Sequence, residues 1–246
     1  MYKTDKSNIY SITSNTLKII AMILMLIDHT GMLFFPQHLI FRILGRIAFP
    51  IFAFQVAEGY RHTSNQSKYL NRLFIFALIS EIPFNLLTSG SLININNQNV
   101  MFTLLFGLIL IQQIDKYQKN NNRNNLIIAI TYSLVLSFLS TIFNFDYGAM
   151  GVMSVAMFFL FKDKILLQLL GLIYINIIAI ETMIIPLNML GYKLYIPIQS
   201  FAALAMFPIY FYNGNKGNLS KRIGRYLYYF YPVHMLILVI LKALLR

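Results

Sequence analysis

Apolar runs of about 20 residues recur along the whole of this chain, the length of helix that a bilayer's hydrocarbon core demands. Few folds survive that pattern. Charged residues make up 11% of the 246 positions, under half of the roughly 25% usual in soluble domains. A soluble fold of this size needs a polar surface that this chain cannot supply, so the solvent of the fold is lipid. The expected class is all-α: a polytopic transmembrane helix bundle, one domain over residues 1–246, with the N-terminus in the cytoplasm.

The apolar pattern gives about nine spans, at 17–35, 40–60, 69–88, 99–114, 126–143, 146–161, 165–184, 195–212 and 226–245. Those at 99–114 and 146–161 fall short of a straight crossing and are candidates for re-entrant or bundle-enclosed segments. Basic residues alternate between the connections. Lys3, Lys6 and Lys18 precede or open span one; Arg61, Lys68 and Arg72 follow span two; Lys116, Lys119 and Arg123 follow span four. Lys162 and Lys164 follow span six, and Lys216, Lys221, Arg222 and Arg225 follow span eight. The intervening connections are nearly free of base, which places the N-terminus inside and the C-terminus outside. Lys242 and Arg246, on the outer side in this scheme, run against it.

Other compositional facts narrow the chemistry. With 20 Lys and Arg against 8 Asp and Glu the net charge is +12, which the positive-inside rule accounts for without a nucleic-acid partner. The chain has no cysteine, which removes disulfides, thiolate metal sites and a Cys nucleophile. There is no Trp, so interface anchoring falls to the 16 Tyr. The first apolar stretch is too long for a signal-peptide core and no small-residue cleavage site follows it, so it reads as a retained span.

Ionisable side chains inside a membrane cost at least ~2.5–3.5 kcal/mol each to insert, so they are usually functional or paired. At 1.5 Å per residue, His29 of span one and Arg46 of span two lie about 9 Å below the outer face, and Glu81 of span three about 10 Å below it. Asp28, His29, Arg46 and Glu81 thus share one level. A neutral imidazole can take a proton from an acceptor amine or hydroxyl at neutral pH. Asp28 points about 100° away from His29 on the helix and is free to pair with Arg46. The alternative is a buried ion-pair network, Arg46 with Glu81, that only holds helices together. Lys18, eleven residues before His29, faces roughly the same side some 16 Å below it, where it is either an anion-holding cation or a snorkelling flank. His234 falls near mid-membrane and either reaches the same tunnel or donates a packing hydrogen bond. Glu58 and Arg61 end span two at the inner face; Asp146 with its neighbour Tyr147, and Glu181, lie nearer the outer surface.

Six blocks occur in order: Met22–Gly31 (MILMLIDHTG), Arg46–Tyr60 (RIAFPIFAFQVAEGY), Arg72–Asn85 (RLFIFALISEIPFN), Asn99–Gly107 (NVMFTLLFG), Asp146–Val152 (DYGAMGV) and Tyr228–Leu236 (YYFYPVHML). Together they resemble the TraX family, over nearly the whole chain. TraX is named for acetylation of conjugative pilin at its N-terminus, and is similar to the acyltransferase-3 membrane proteins. Those carry a basic residue, ten residues, then an essential His in the first span. Lys18 and His29 have that spacing, with Lys where Arg is commoner.

The resemblance implies a bacterial inner-membrane acetyltransferase with acetyl-CoA as cytoplasmic donor, membrane lipid around it and no metal. His29 would be base or acyl carrier, assisted by Asp28, Arg46 and Glu81. Lys18, Glu58, Arg61 and His234 would hold the donor, and Asp146, Tyr147 and Glu181 would meet the acceptor. A surface peptide amine and a glycan hydroxyl both fit as acceptor. A transporter or flippase with an ion-pair relay is the alternative, though no internal repeat supports it. A non-catalytic assembly protein is the third reading. No GxSxG, HExxH or P-loop pattern is present.

Overall fold

A computed structural model describes residues 11–178, 184–189, 192–218 and 221–245. Side chains face outward with the chemistry of lipid. On helix α6 (Arg123–Ile142) Leu134 is 67% and Phe138 64% exposed, whereas Val152, Val155 and Phe158 of helix α7 (Gly148–Leu160) are fully buried. Large apolar residues outside as well as inside mark a bundle solvated by hydrocarbon, and the chain is an all-α polytopic membrane protein.

Among the described residues, five helical stretches are long and apolar enough to cross a membrane: α1 (Ser14–Phe34), the pair α2 (Leu39–Arg46) and α3 (Ala48–His62), α4 (Gln66–Ser89), α5 (Val100–Lys119) and α6. Shorter apolar helices follow. The Asn-rich connectors are the caps. Asn65, Asn99 and Asn122 each accept a backbone N–H from the first turn of α4, α5 and α6. Between α2 and α3 the helix breaks at Ile47, because Pro50 has no N–H for the carbonyl of Arg46 four residues before it.

The structure corrects several expected spans. The segment at 99–114 is a complete 20-residue helix reaching Lys119. The one at 146–161 is only the 13-residue α7, about 20 Å long, and it lies inside the bundle against α3, α5 and α6. The span expected at 165–184 ends earlier, as α8 (Ile165–Ile178). An antiparallel hairpin follows, β1 (Ile184–Met189) with β2 (Tyr192–Pro197), where Pro186 and Pro197 each lack the N–H that a helix would use. The span expected at 195–212 is a 3-10 segment, Ile198–Ala205, and the short α9 (Met206–Tyr210). The last helix is α10 (Lys221–Leu244).

Small residues let the central helices approach closely. A Cβ on Gly45 of α2 would sit 2.2 Å from Cγ and Oδ1 of Asp28 on α1, and one on Gly107 of α5 would sit 2.6 Å from Val155 of α7. One end of the bundle gathers the start of α1 and the 211–217 connection: Ser14 N donates to Asn215 O (2.9 Å) and Asn15 N to Lys216 O (3.1 Å). At the other end Gln98 N donates to Asn144 O (3.1 Å) and Asp146 N to Gln98 O (2.9 Å), joining the α4–α5 and α6–α7 connections. The grouping follows the alternation of the basic loops.

Candidate active site between two cavities

Each end of the bundle opens into a cavity. The inner one, about 620 Å³, is bounded by Ser14, Lys18, Glu58, His62, Arg72 and Lys216 at its mouth. Deeper in, its wall is Met25 of α1 with Phe230 and Tyr231 of α10. The outer cavity, about 380 Å³, is polar and is lined by Asp28, His29, Arg42, Arg46, Asp146 and Tyr147. Helix α1 therefore walls both. Lys18 stands on the inner cavity and His29 on the outer one, as their eleven-residue separation anticipates.

Three cations, Lys18, Arg72 and Lys216, stand on the inner wall. Two buried donors in the same wall, Nδ2 of Asn15 and Nε of Arg72, meet no acceptor in the protein among the described residues. The Arg72 guanidinium lies over the rings of Tyr228 (4.8 Å) and Tyr69 (5.2 Å), which fixes its plane. Cations, unmet donors and aromatic faces in one cavity of this size suit an extended anionic ligand with amide and ring parts. Glu58 is in this wall, held at 2.5 Å by Arg61 and at 3.5 Å by His62. Arg61 itself turns away. Its other guanidinium nitrogen donates to the Phe159 carbonyl (2.5 Å), so it caps the end of α7 and does not line the inner cavity.

In the outer cavity Asp28 Oδ1 accepts from Arg42 at 2.7 Å. The expected partner Arg46, one turn on, donates to Gln199 Oε1 (3.2 Å) and lies 5.9 Å from the centroid of the Tyr147 ring. Tyr147 adopts a left-handed backbone (φ 64°), and its ring stacks on Phe49 at 3.9 Å. Asp146 sits in the turn before α7, outside both flanking helices. Burial pushes its carboxyl up to about 6 against the pull of Arg46.

Glu81 does not line the outer cavity. Its Oε2 accepts from the side chain of Asn99 (2.5 Å), so it braces the cap of α5 and supplies neither the orienting role expected at the site nor the alternative ion pair with Arg46. His234 is not on the inner wall but against His29, with Nε2 2.8 Å from Nδ1 of His29 and the ring planes 2° apart. Glu181 lies outside the described residues. Among the described residues no cluster of His, Asp or Glu could hold a metal ion.

Arg42, Asn15 and Gln199 escape the sequence reading, and Arg72 enters it only as an inner-face loop cation. Arg42 has a signal, since four residues before Arg46 puts both cations on one helix face. Nothing local marks Asn15 and Gln199.

A probable fimbrial assembly protein FimC (serogroup H1) of Dichelobacter nodosus is 28% identical over 94% of this chain and 96% of that protein. An uncharacterized protein of Rickettsia prowazekii (strain Madrid E) is 34% identical over 37% of this chain and 33% of that protein. No solved structure matches. A family model described as TraX protein matches residues 13–242, nearly the whole chain, and the chain belongs to the TraX family.

Proposed function

We propose that the chain is a membrane-embedded acetyltransferase of the bacterial inner membrane. It moves an acetyl group from cytoplasmic acetyl-CoA to an amine or hydroxyl of a surface acceptor at the outer half of the bilayer. The association of the TraX family with pilin acetylation supports this reading. So does likeness to a probable fimbrial assembly protein, which points to a pilin-like peptide as acceptor. The observation that carries the chemistry is the span of α1, with a cation on the inner cavity and an imidazole on the outer one.

Acetyl-CoA, as substrate, supplies the activated acetyl group. Lys18, Arg72 and Lys216 would hold its anionic part, and the unmet donors of Asn15 and Arg72 would take its oxygens. His29 takes the proton of the acceptor amine or hydroxyl as that group attacks the acetyl carbon, the carbon–sulfur bond breaks, and the proton passes to the departing CoA thiolate; alternatively His29 itself displaces CoA, carries the acetyl group briefly and yields it to the acceptor. Arg46, and Arg42 beside it, stabilise the oxyanion that forms at the acetyl carbon. Asp28 holds Arg42 in place by its ion pair.

The test is acetyl-CoA binding and hydrolysis by detergent-purified protein beside His29→Ala and Lys18→Ala. The expected result is turnover reduced about 10²–10⁴-fold in His29→Ala with donor binding kept, and a raised donor KM in Lys18→Ala. A folded, monodisperse parent that binds no CoA sinks the reading and leaves a transporter or an assembly protein without chemistry.

A further inference from the structure

The imidazole of His29 is met by a residue 205 positions away, and the hydrogen bonds there determine where its proton sits. Nδ1 of His234 lies 2.8 Å from the carbonyl oxygen of Phe230. A carbonyl oxygen only accepts, so Nδ1 of His234 carries the hydrogen and donates it. The neutral ring then has its lone pair on Nε2, and that atom is 2.8 Å from Nδ1 of His29. Nδ1 of His29 therefore donates in its turn. Neutral His29 keeps its own lone pair on Nε2, the nitrogen not engaged by His234.

The remaining geometry agrees. A ring N–H and a ring lone pair both lie in the plane of their imidazole, and the two planes are 2° apart. His234 has little freedom to turn: it is 3% exposed and stacked on Phe230 at 4.7 Å. When Nε2 of His29 gains a proton, Nδ1–H still donates to His234, so protonation breaks no bond in the pair.

We propose that His234 is the positioning residue of this site: it holds His29 in the Nδ1–H tautomer and presents Nε2 as the basic nitrogen of the outer cavity. This rests on the reading of His29 as base or acyl carrier, because either role needs a lone pair on the nitrogen that meets the reacting atoms. The charged groups of that cavity are Asp28 on the same helix, Arg42 and Arg46 of α2, and Asp146 before α7. Asp28 is engaged by Arg42, which leaves the neutral His234 as the group orienting the ring.

The experiment is nitrogen-15 NMR of histidine-labelled protein. It is tractable with 4 histidines in the chain, His29 being assigned by its loss in His29→Ala. The expected parent spectrum has His29 protonated at Nδ1. In His234→Ala that preference is lost in favour of Nε2–H, and turnover of acetyl-CoA falls about 10–100-fold. In His234→Gln the amide oxygen replaces the acceptor, so the Nδ1–H tautomer and part of the turnover return. A parent His29 carrying its proton on Nε2, or a tautomer unchanged in His234→Ala, overturns the proposal. Should His234→Ala not fold, the parent and His234→Gln spectra decide alone. A parent with the expected tautomers that neither binds nor turns over acetyl-CoA would sink the acetyltransferase and leave the histidine pair standing.

Discussion

The two carboxylates of the outer cavity carry their charge under different terms. Asp28 is gripped by Arg42 at 2.7 Å. Asp146, half-buried in the turn before α7, has its carboxyl raised to about 6 by desolvation despite Arg46. For an acid, a folded-state value above the unfolded one means the folded protein binds the extra proton between the two. Stability is then greatest below about 4 and falls as pH rises through about 6. Asp146→Asn removes the cost of that buried charge. Its unfolding midpoint in detergent should exceed the parent's by a few degrees at pH 8 and match it near pH 4; equal midpoints at pH 8 would refute this. Depth along helices made His29, Asp28 and Arg46 legible, because a 1.5 Å rise fixes level. Level does not fix direction or partner. That is why Glu81, at the right height, turned out to brace Asn99, and Arg61, at the inner mouth, turned out to cap α7.

At the scale of elements, the cavity wall depends on how closely α1 and α2 approach. Gly45 makes room for the Asp28 carboxylate, and an added Cβ would overlap it at 2.2 Å. Gly45→Ala must push Asp28 off Arg42 or part the two helices. The expected loss is about 1–3 kcal/mol of stability in detergent unfolding, with turnover reduced as well. Gly171→Ala of α8, whose Cβ would meet the flexible Met157 at 2.8 Å, should cost less, and equal costs would remove the special role of Gly45. Element positions were largely legible, since every expected span apart from 195–212 stands on an α-helix or a pair of them. What periodicity could not convey was type within the last third. The span expected at 195–212 is apolar, yet the described chain there closes a hairpin strand at Pro197 and continues as a 3-10 segment and one short helix. Length did point to the enclosure of α7, since 146–161 is too short for a straight crossing, but the same criterion misjudged 99–114, which is a complete helix.

At the scale of the whole molecule, the proposed transfer brings donor and acceptor from opposite sides of the membrane, and the two cavities lie at opposite ends of the bundle. Which end faces the cytoplasm is carried by charge. The end that gathers Ser14, His62 and Lys216 around the inner cavity has the basic connections, and the end that joins Gln98 to Asn144 does not. Since the chain contains no cysteine, single-cysteine variants report this without background. Ser64→Cys in the α3–α4 connection and Asn121→Cys in the α5–α6 connection should be protected from a membrane-impermeant maleimide in intact spheroplasts and labelled after lysis. Asn96→Cys in the α4–α5 connection should be labelled in both. The reverse pattern would turn the bundle over, put Lys18 on the side without acetyl-CoA, and remove the donor site together with the function built on it. Labelling of all three in intact spheroplasts would deny that α4 and α5 cross the bilayer.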